Sequence, residues 1–306
     1  SAAAEATSPS VPFPPEGALL AAKAHVAKQR EAQRPHRGRF SWGQRRRCQS
    51  GCGTIQHMTT AILSALQEEQ SSLLQHLQRP RRTMHAGRAF WQGDWHGRPV
   101  VLALSGIGKV AAATTGTALV ERFGVARIVF TGVAGGVGDG VQVGDVVVAH
   151  DYVQHDMDAS PLFPRWELPG YARTRLSCDT ALTAMLLEAA SAYVQSAAGQ
   201  FDSKLVAGQP RAHRGLIASG DRFVSAAQEV QGLRTALSSA GHEVLAVEME
   251  GAAVAQVCHD YGLPFAAMRT ISDRADDSAH VDFPAFVNTV ATRYAEHIIQ
   301  GFLQKL

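Results

Sequence analysis

Short apolar runs alternate with longer stretches in which apolar positions recur every three to four residues, and that change of period marks out the elements. Thr59–Ala65 (TTAILSA) reads as a buried strand, and Glu68-Glu69 open a helix over Ser71–Leu77. Arg88–Gly106 holds two strand-like runs around the turn Trp95-His96-Gly97, the second being Pro99–Leu104. The turn Ser105-Gly106-Ile107-Gly108-Lys109 leads into an Ala-rich helix from Val110 to Phe123. Strands follow at Arg127–Thr131 and Val143–His150, with the glycine-rich run Gly132–Gly138 between them. A helix is expected over Cys178–Tyr193, a polar insertion over 197–211, a strand over His213–Ser219 and a helix over Ala226–Leu237. The strand Val244–Val247, the helix Gly251–Tyr261, the strand Phe265–Ile271 and an amphipathic closing helix, Phe283–Leu306, complete the chain. Strands alternating with helices imply a largely parallel sheet with helices on both faces.

Within this alternation, Val247–Ala253 places two carboxylates where a strand passes into a helix. Glu248 and Glu250 are two apart, so on a continuing strand both face one side. Such a pair is costly on a buried face unless something binds there, whereas an acidic helix N-terminus is the plainer explanation of the same letters. Glu68-Glu69 admits that plainer explanation too. The turn Ser105–Lys109 could cradle an anion but lacks full Walker or dinucleotide spacing, and Gly132–Gly138 permits close approach of backbone to a ligand or is simply a flexible loop. His155-Asp156-Met157-Asp158 is sequence-local and reads as loop hydrogen bonding rather than as a metal site.

Composition narrows the classes. The chain has 306 residues, 45% of them hydrophobic, enough for a substantial core, and no apolar run of about 18 residues that could span a membrane. Its net charge of +2 hides an asymmetry: residues 1–57 carry nine Lys/Arg against three Asp/Glu, which leaves −4 for the remainder. A mildly acidic body argues against a nucleic-acid surface. Residues 1–57 are expected to be a mobile basic Pro/Ala/Arg-rich extension upstream of Met58, and residues 58–306 a single domain. Cys48, Cys52, Cys178 and Cys258 are too scattered for a disulfide framework, which suggests a reducing, cytoplasmic setting. Cys48 and Cys52 lack a second ligand pair, so no metal and no cofactor is expected.

Four predicted strand ends carry distinctive groups: Glu69, the Gly132–Gly136 run, Glu248 with Glu250, and Ser272-Asp273. Right-handed crossovers bring the ends of parallel strands to one edge, where ligands bind in open α/β sheets. No Ser–His or Cys–His pairing accompanies them. Separate carboxylates without a covalent nucleophile suit acid/base cleavage of a glycosidic bond, in which a leaving group is protonated and a water activated.

These segments, in this order, resemble the nucleoside phosphorylase/nucleosidase family, and within it the 5′-methylthioadenosine/S-adenosylhomocysteine nucleosidases. The matching runs are Ala65–Glu69, Ser105–Ala112, Thr131–Gly136, Gly144–Val148, Ser219–Phe223, Ala246–Ala253 and Arg269–Asp273. The resemblance implies a three-layer α/β/α fold with a mixed central sheet, and hydrolysis of a purine thionucleoside to adenine. It implies catalytic roles for Asp273 as the acid at adenine N7, Glu250 on the ribose hydroxyls, and Glu69 on the attacking water. Met249, Ala134, Gly135, Arg269 and Ser272 belong to its substrate site, Phe223 and Val224 to its adenine pocket, and Leu66, Ile107 and Phe283 to its 5′-alkylthio pocket. Leu162, Phe163 and Pro169 are expected to reach the neighbouring site of a homodimer. Glu248 is assigned to structure near the site.

A phosphate-dependent phosphorylase and a storage-type binding homologue are the rival readings. Phosphorylases of this family carry an Arg and a Ser where this chain has Phe130 and Val133, and an anion would be repelled by Glu69. Ser64, Leu66 and Val133 also depart from the usual nucleosidase residues, which bears on substrate preference.

Overall fold

The computed structural model describes residues 58–206, 208–274 and 283–306, so the expectations for residues 1–57, Cys48 and Cys52 included, lie outside the described residues. At the centre of the larger of its two compact units, which holds residues 58–157 and 173–306, is β1 (Thr60–Ser64), buried at every position. It lies parallel between β4 (Arg98–Leu104) and β5 (Arg127–Thr131), which explains its unbroken apolar sequence: both of its faces are covered. Beyond β4 the sheet continues antiparallel through β3 (Arg88–Trp95) to β2 (Gln78–His85). His96 and Gly97 join β3 to β4 with φ of 51° and 75°, the doubly left-handed turn that suits tight hairpins.

The other half of the sheet curls. After β5 comes β11 (Phe265–Asp273), then β6 (Val133–Gly136), β10 (Val244–Glu248), β9 (Ala212–Ser219), β7 (Val146–Gln154) and the short edge strand β8 (Arg175–Ser177). β11 changes partner along its length. Phe265–Ala267 pair with β5, Met268–Thr270 run antiparallel to β7, and Thr270–Asp273 pair with β6. Because β7 also pairs with β9, the strands β11, β6, β10, β9 and β7 close into a ring.

Helices cover both faces of this mixed sheet, giving three α/β/α layers. On one side α1 (Gln67–Leu74), α3 (Thr180–Ser196) and α6 (Thr292–Lys305) pack together, and Leu73, Leu186, Tyr294, Ile298 and Phe302 join Ile62, Val129 and Met268 of the strands in one core. The buried residues of α6 are Tyr294, Ala295, Ile298, Ile299, Phe302 and Leu303, the spacing of a single apolar stripe. α2 (Lys109–Phe123) packs against α5 (Gly251–Tyr261), where Gly116 lets the Val257 side chain approach, and α4 (Ala227–Ser239) lies on β10. The closing helix is not continuous: a helical turn at Phe283–Phe286 and a π-helical stretch at Val287–Ala291 precede α6.

The smaller unit includes Asp158–Ala172, a segment of turns. Within it the Ser160 N–H donates to Asp158 Oδ1 at 3.0 Å, and the Arg165 guanidinium lies 4.7 Å from the Trp166 ring centre.

Candidate active site

A cavity of about 250 Å³ opens where the ends of β1, β6, β10 and β11 meet the turns that follow β4 and β9. Of the residues singled out in the sequence, Leu66, Ile107, Ala134, Gly135, Phe223, Val224, Met249, Glu250, Ser272, Asp273 and Phe283 line it. Ala65, Val133, Arg222, Val247 and Glu248 line it as well; all five lie within the matching runs, and of them only Glu248 and Val133 are singled out by the sequence. Leu162, Phe163 and Pro169 belong to the separate unit and are absent from the lining. Glu69 and Arg269 are also absent, and both side chains are fully buried.

Glu250 stands at the N-terminus of α5 and its Oε1 accepts the Gly108 N–H at 2.9 Å. Burial, and after it the neighbouring Glu248 carboxylate, push its carboxyl up to about 7. The Gly108 amide and the Arg269 guanidinium pull the other way.

Glu248 has a different environment from its neighbour two residues on. Its carboxylate accepts both the Gly251 N–H, at 2.8 and 3.0 Å, and the Glu250 N–H at 3.2 Å. It also accepts the Ser219 hydroxyl and, at 2.6 Å, Arg269 Nη2. Ser219 Oγ in turn accepts the Ala252 N–H at 2.8 Å. Glu248 thus satisfies the open amides at the start of α5 while pairing with a wholly buried guanidinium. Its oxygens are fully engaged by protein.

Arg269 lies on β11 with 0% exposure; its Nη1 donates to the Met268 carbonyl at 3.0 Å and its guanidinium sits 4.0 Å from the Phe130 ring centre. Buried but beside Glu248, it is held above its ordinary value and stays charged. Its Nε has no partner among the described residues. Gly132 makes room for it, since a Cβ there would stand 3.3 Å from Nε. Arg269, expected among the substrate contacts, is not in the cavity lining; its guanidinium pairs with Glu248, which is.

Glu69 has 0% exposure at the third position of α1. Its Oε2 accepts the Leu66 N–H at 3.3 Å, which is the carboxylate half of a helix capping box and accounts for one oxygen. The other, Oε1, is buried without a partner. Burial raises its carboxyl to about 7 despite the opposing pull of Arg269. A buried, unpartnered carboxylate oxygen is the feature capping does not explain.

Asp273 ends β11 at 8% exposure, and Ser272 Oγ donates to its Oδ2 at 2.7 Å. Its strand partner is Gly135, so the glycine-rich run forms β6 rather than the flexible loop the sequence allowed, and its thin backbone floors the cavity beside the acid. Among the described residues, no cluster of three His, Cys, Asp or Glu side chains could hold a metal ion. The arrangement offers a proton donor or acceptor at Asp273, a second carboxyl at Glu250 across the same cavity and an aromatic wall at Phe223. That is equipment for binding and protonating a planar heterocycle attached to a polyol.

Residues 59–304 match the family model of the phosphorylase superfamily. The chain is 34% identical over 233 residues to a 5′-methylthioadenosine/S-adenosylhomocysteine nucleosidase of Shewanella denitrificans, an alignment covering 75% of this chain and 92% of that one. The solved structure of the Neisseria meningitidis nucleosidase of the same name, in complex with methylthio-immucillin-A, superposes with a TM-score of 0.71 at 31% identity, over 81% of this chain and all of that one. A Helicobacter pylori futalosine hydrolase mutant gives 0.70 at 31% identity, again over 81% of this chain and all of that one. With its three layers, its strand-end cavity and these matches along nearly the whole described body, the chain belongs to the phosphorylase superfamily, in its nucleosidase branch.

Proposed function

We propose that this protein hydrolyses the N-glycosidic bond of 5′-methylthioadenosine, S-adenosylhomocysteine or both, releasing adenine and the thioribose product. The observation that carries the reading is the buried, unpartnered Oε1 of Glu69, an acceptor suited to orienting and deprotonating a water beside a sugar. Asp273 donates a proton to adenine N7, turning a poor anionic leaving group into a neutral one. Glu250 binds the ribose hydroxyls and, when ionised, stabilises the oxocarbenium charge that grows as the bond breaks. Phe223 and Val224 receive the base, Met249 packs on the sugar, and Leu66, Ile107 and Phe283 receive the 5′-alkylthio group.

A phosphorolytic route has less support. Phosphate needs preorganised cations, yet Arg269 is already neutralised by Glu248, and Phe130 and Val133 stand where phosphorylases of the family carry an Arg and a Ser. A futalosine-type nucleoside is the second reading, favoured by the near-equal similarity to the futalosine hydrolase. A role in methionine salvage goes with the first reading. The buried free thiols of Cys178 and Cys258 fit a reducing cytoplasm, and a homodimer in which Leu162, Phe163 and Pro169 of one subunit complete the other's 5′ pocket fits the exposed Ile107 and Val110.

The test is to incubate the protein with methylthioadenosine, S-adenosylhomocysteine or futalosine, each with and without phosphate. Free adenine from methylthioadenosine without phosphate is the expected result. A requirement for phosphate would establish the phosphorylase, cleavage of futalosine alone the second reading, and no turnover a binding homologue.

A further inference from the structure

Two surface turns frame the mouth of the cavity. One, Ser105–Lys109, carries Ile107 at the rim and the Gly108 amide that holds Glu250. The other, Gly220–Val224, carries the base-side wall, Phe223 and Val224. The rim side chains are exposed, Ile107 at 74% and Phe223 at 51%, so apolar packing between them does not fix the spacing of the two turns.

Ionic and amide contacts do. The Lys109 N–H donates to Asp221 Oδ1 at 2.7 Å, and Lys109 Nζ lies 3.9 Å from Asp221 Oδ2. The same ammonium donates to Asp156 Oδ1 at 2.5 Å and to Gln154 Oε1 at 3.2 Å. Asp156 Oδ2 then accepts the Asp221 N–H at 2.8 Å, closing a circuit from one turn through the end of β7 to the other. Burial pushes the Asp156 carboxyl up, but the Lys109 ammonium and the Asp221 amide outweigh it and hold the carboxyl below its ordinary value. A Cβ on Gly108 would stand 3.1 Å from Asp221 Oδ1, so the turns meet closely enough to require glycine there, at a φ of 88°. Lys109, Asp156 and Asp221 are all absent from the cavity lining.

We propose that Lys109, with Asp156 and Asp221, is a positioning clasp that locks the Glu250-holding turn to the base-holding turn, so that the sugar and base contacts are presented at one fixed separation. The proposal rests on the function argued above. A surface ion pair stabilises a fold little, because ordering the side chains offsets the attraction. This one links directly two turns that also meet through the Glu248–Glu250 segment, where the Gly220 N–H donates to the Glu248 carbonyl at 3.1 Å and the Gly108 N–H to Glu250. Without it the strands beneath keep their places and the turns sample other separations, so substrate must select the assembled state and affinity falls by the fraction of time that state exists. Once bound, substrate reorders the turns, and turnover at saturation changes less.

Two readouts separate the clasp from a merely structural pair. In Lys109→Met, KM for methylthioadenosine is expected to rise at least about tenfold with kcat within about threefold, while Lys109→Arg keeps the wild-type values. Amide exchange in 105–109 and in 219–224 is expected to accelerate together by at least about tenfold, with the rest of the protein unchanged. Asp156→Asn reproduces both effects, and the double variant is no worse than the worse single one. It also decides the matter should Lys109→Met not fold. Unchanged exchange in 219–224, or a KM within about twofold of wild type in a folded variant, overturns the clasp. Should the wild type release no adenine from methylthioadenosine, the substrate assignment fails and the exchange data alone judge the clasp.

Discussion

Glu69 and Glu250 share a shifted acidity and differ in what holds them. Both are pushed from 4.5 up to about 7, chiefly by burial. A carboxyl raised on folding keeps a proton that the unfolded chain releases, so its stabilising contribution is present below pH 4.5 and is lost as pH rises through about 7. Thermal unfolding of the ligand-free protein should therefore show stability falling between about pH 5 and pH 8, by roughly 3 kcal/mol from Glu69 alone. Glu69→Gln should flatten that fall; an unchanged slope would contradict the assignment. The rate runs the other way. In the proposed role Glu250 acts as an anion, so kcat/KM should drop as pH falls below about 7, and a profile flat to pH 5 would exclude it from that role. Asp273→Asn and Glu250→Gln should each lower turnover by roughly two to four orders of magnitude in an adenine-release assay. The family motifs point to both residues and assign Glu248 to structure near the site. The Arg269 and Ser219 partners that settle its environment lie on other strands, beyond the reach of a local pattern.

At the scale of elements, the start of α5 is a tightly constrained junction. A Cβ on Gly251 would fall 2.3 Å from a ring carbon of the buried Tyr152, far inside contact distance. Gly251→Ala should accordingly displace the helix start from Glu248. The expected outcome is a loss of about 2–4 kcal/mol in denaturant unfolding together with loss of turnover. Elements with strong apolar periods were legible nearly to the residue: Arg127–Thr131 and Gly251–Tyr261 appear with the limits read from the sequence. β2 was not anticipated, because QRPRRTMH has almost no apolar residue to alternate; it is an exposed edge strand with an irregular register around Arg79 and Pro80. The closing helix was read as continuous since a π-helical stretch leaves the overall apolar stripe nearly unchanged.

For the whole molecule, alternation of strand and helix implied helices on both faces of a sheet, and the structure has them. It gave no means of seeing the curl, since the antiparallel pairings of β11 with β7 and of β6 with β10 are set by long-range registers rather than by local period. β1 begins at Thr60 and the superfamily match at residue 59. A protein starting at Met58 should thus melt within a few degrees of the full chain and turn over at a similar rate; failure to fold would show that residues 1–57 complete the body.

β11 has a further consequence. The strand that carries Arg269 and ends in Asp273 is also the seam at which the flat half of the sheet is sewn to the closed ring. A shift of the whole strand would break its pairings with β5, β6 and β7 at once, whereas Asp273 itself, at the strand end, is paired with Gly135 of β6 alone. The register of the strand that carries it should therefore fail only when the molecule as a whole comes apart. The two rim turns meet through polar bonds instead, so a local opening there should leave the pairings of β11 intact.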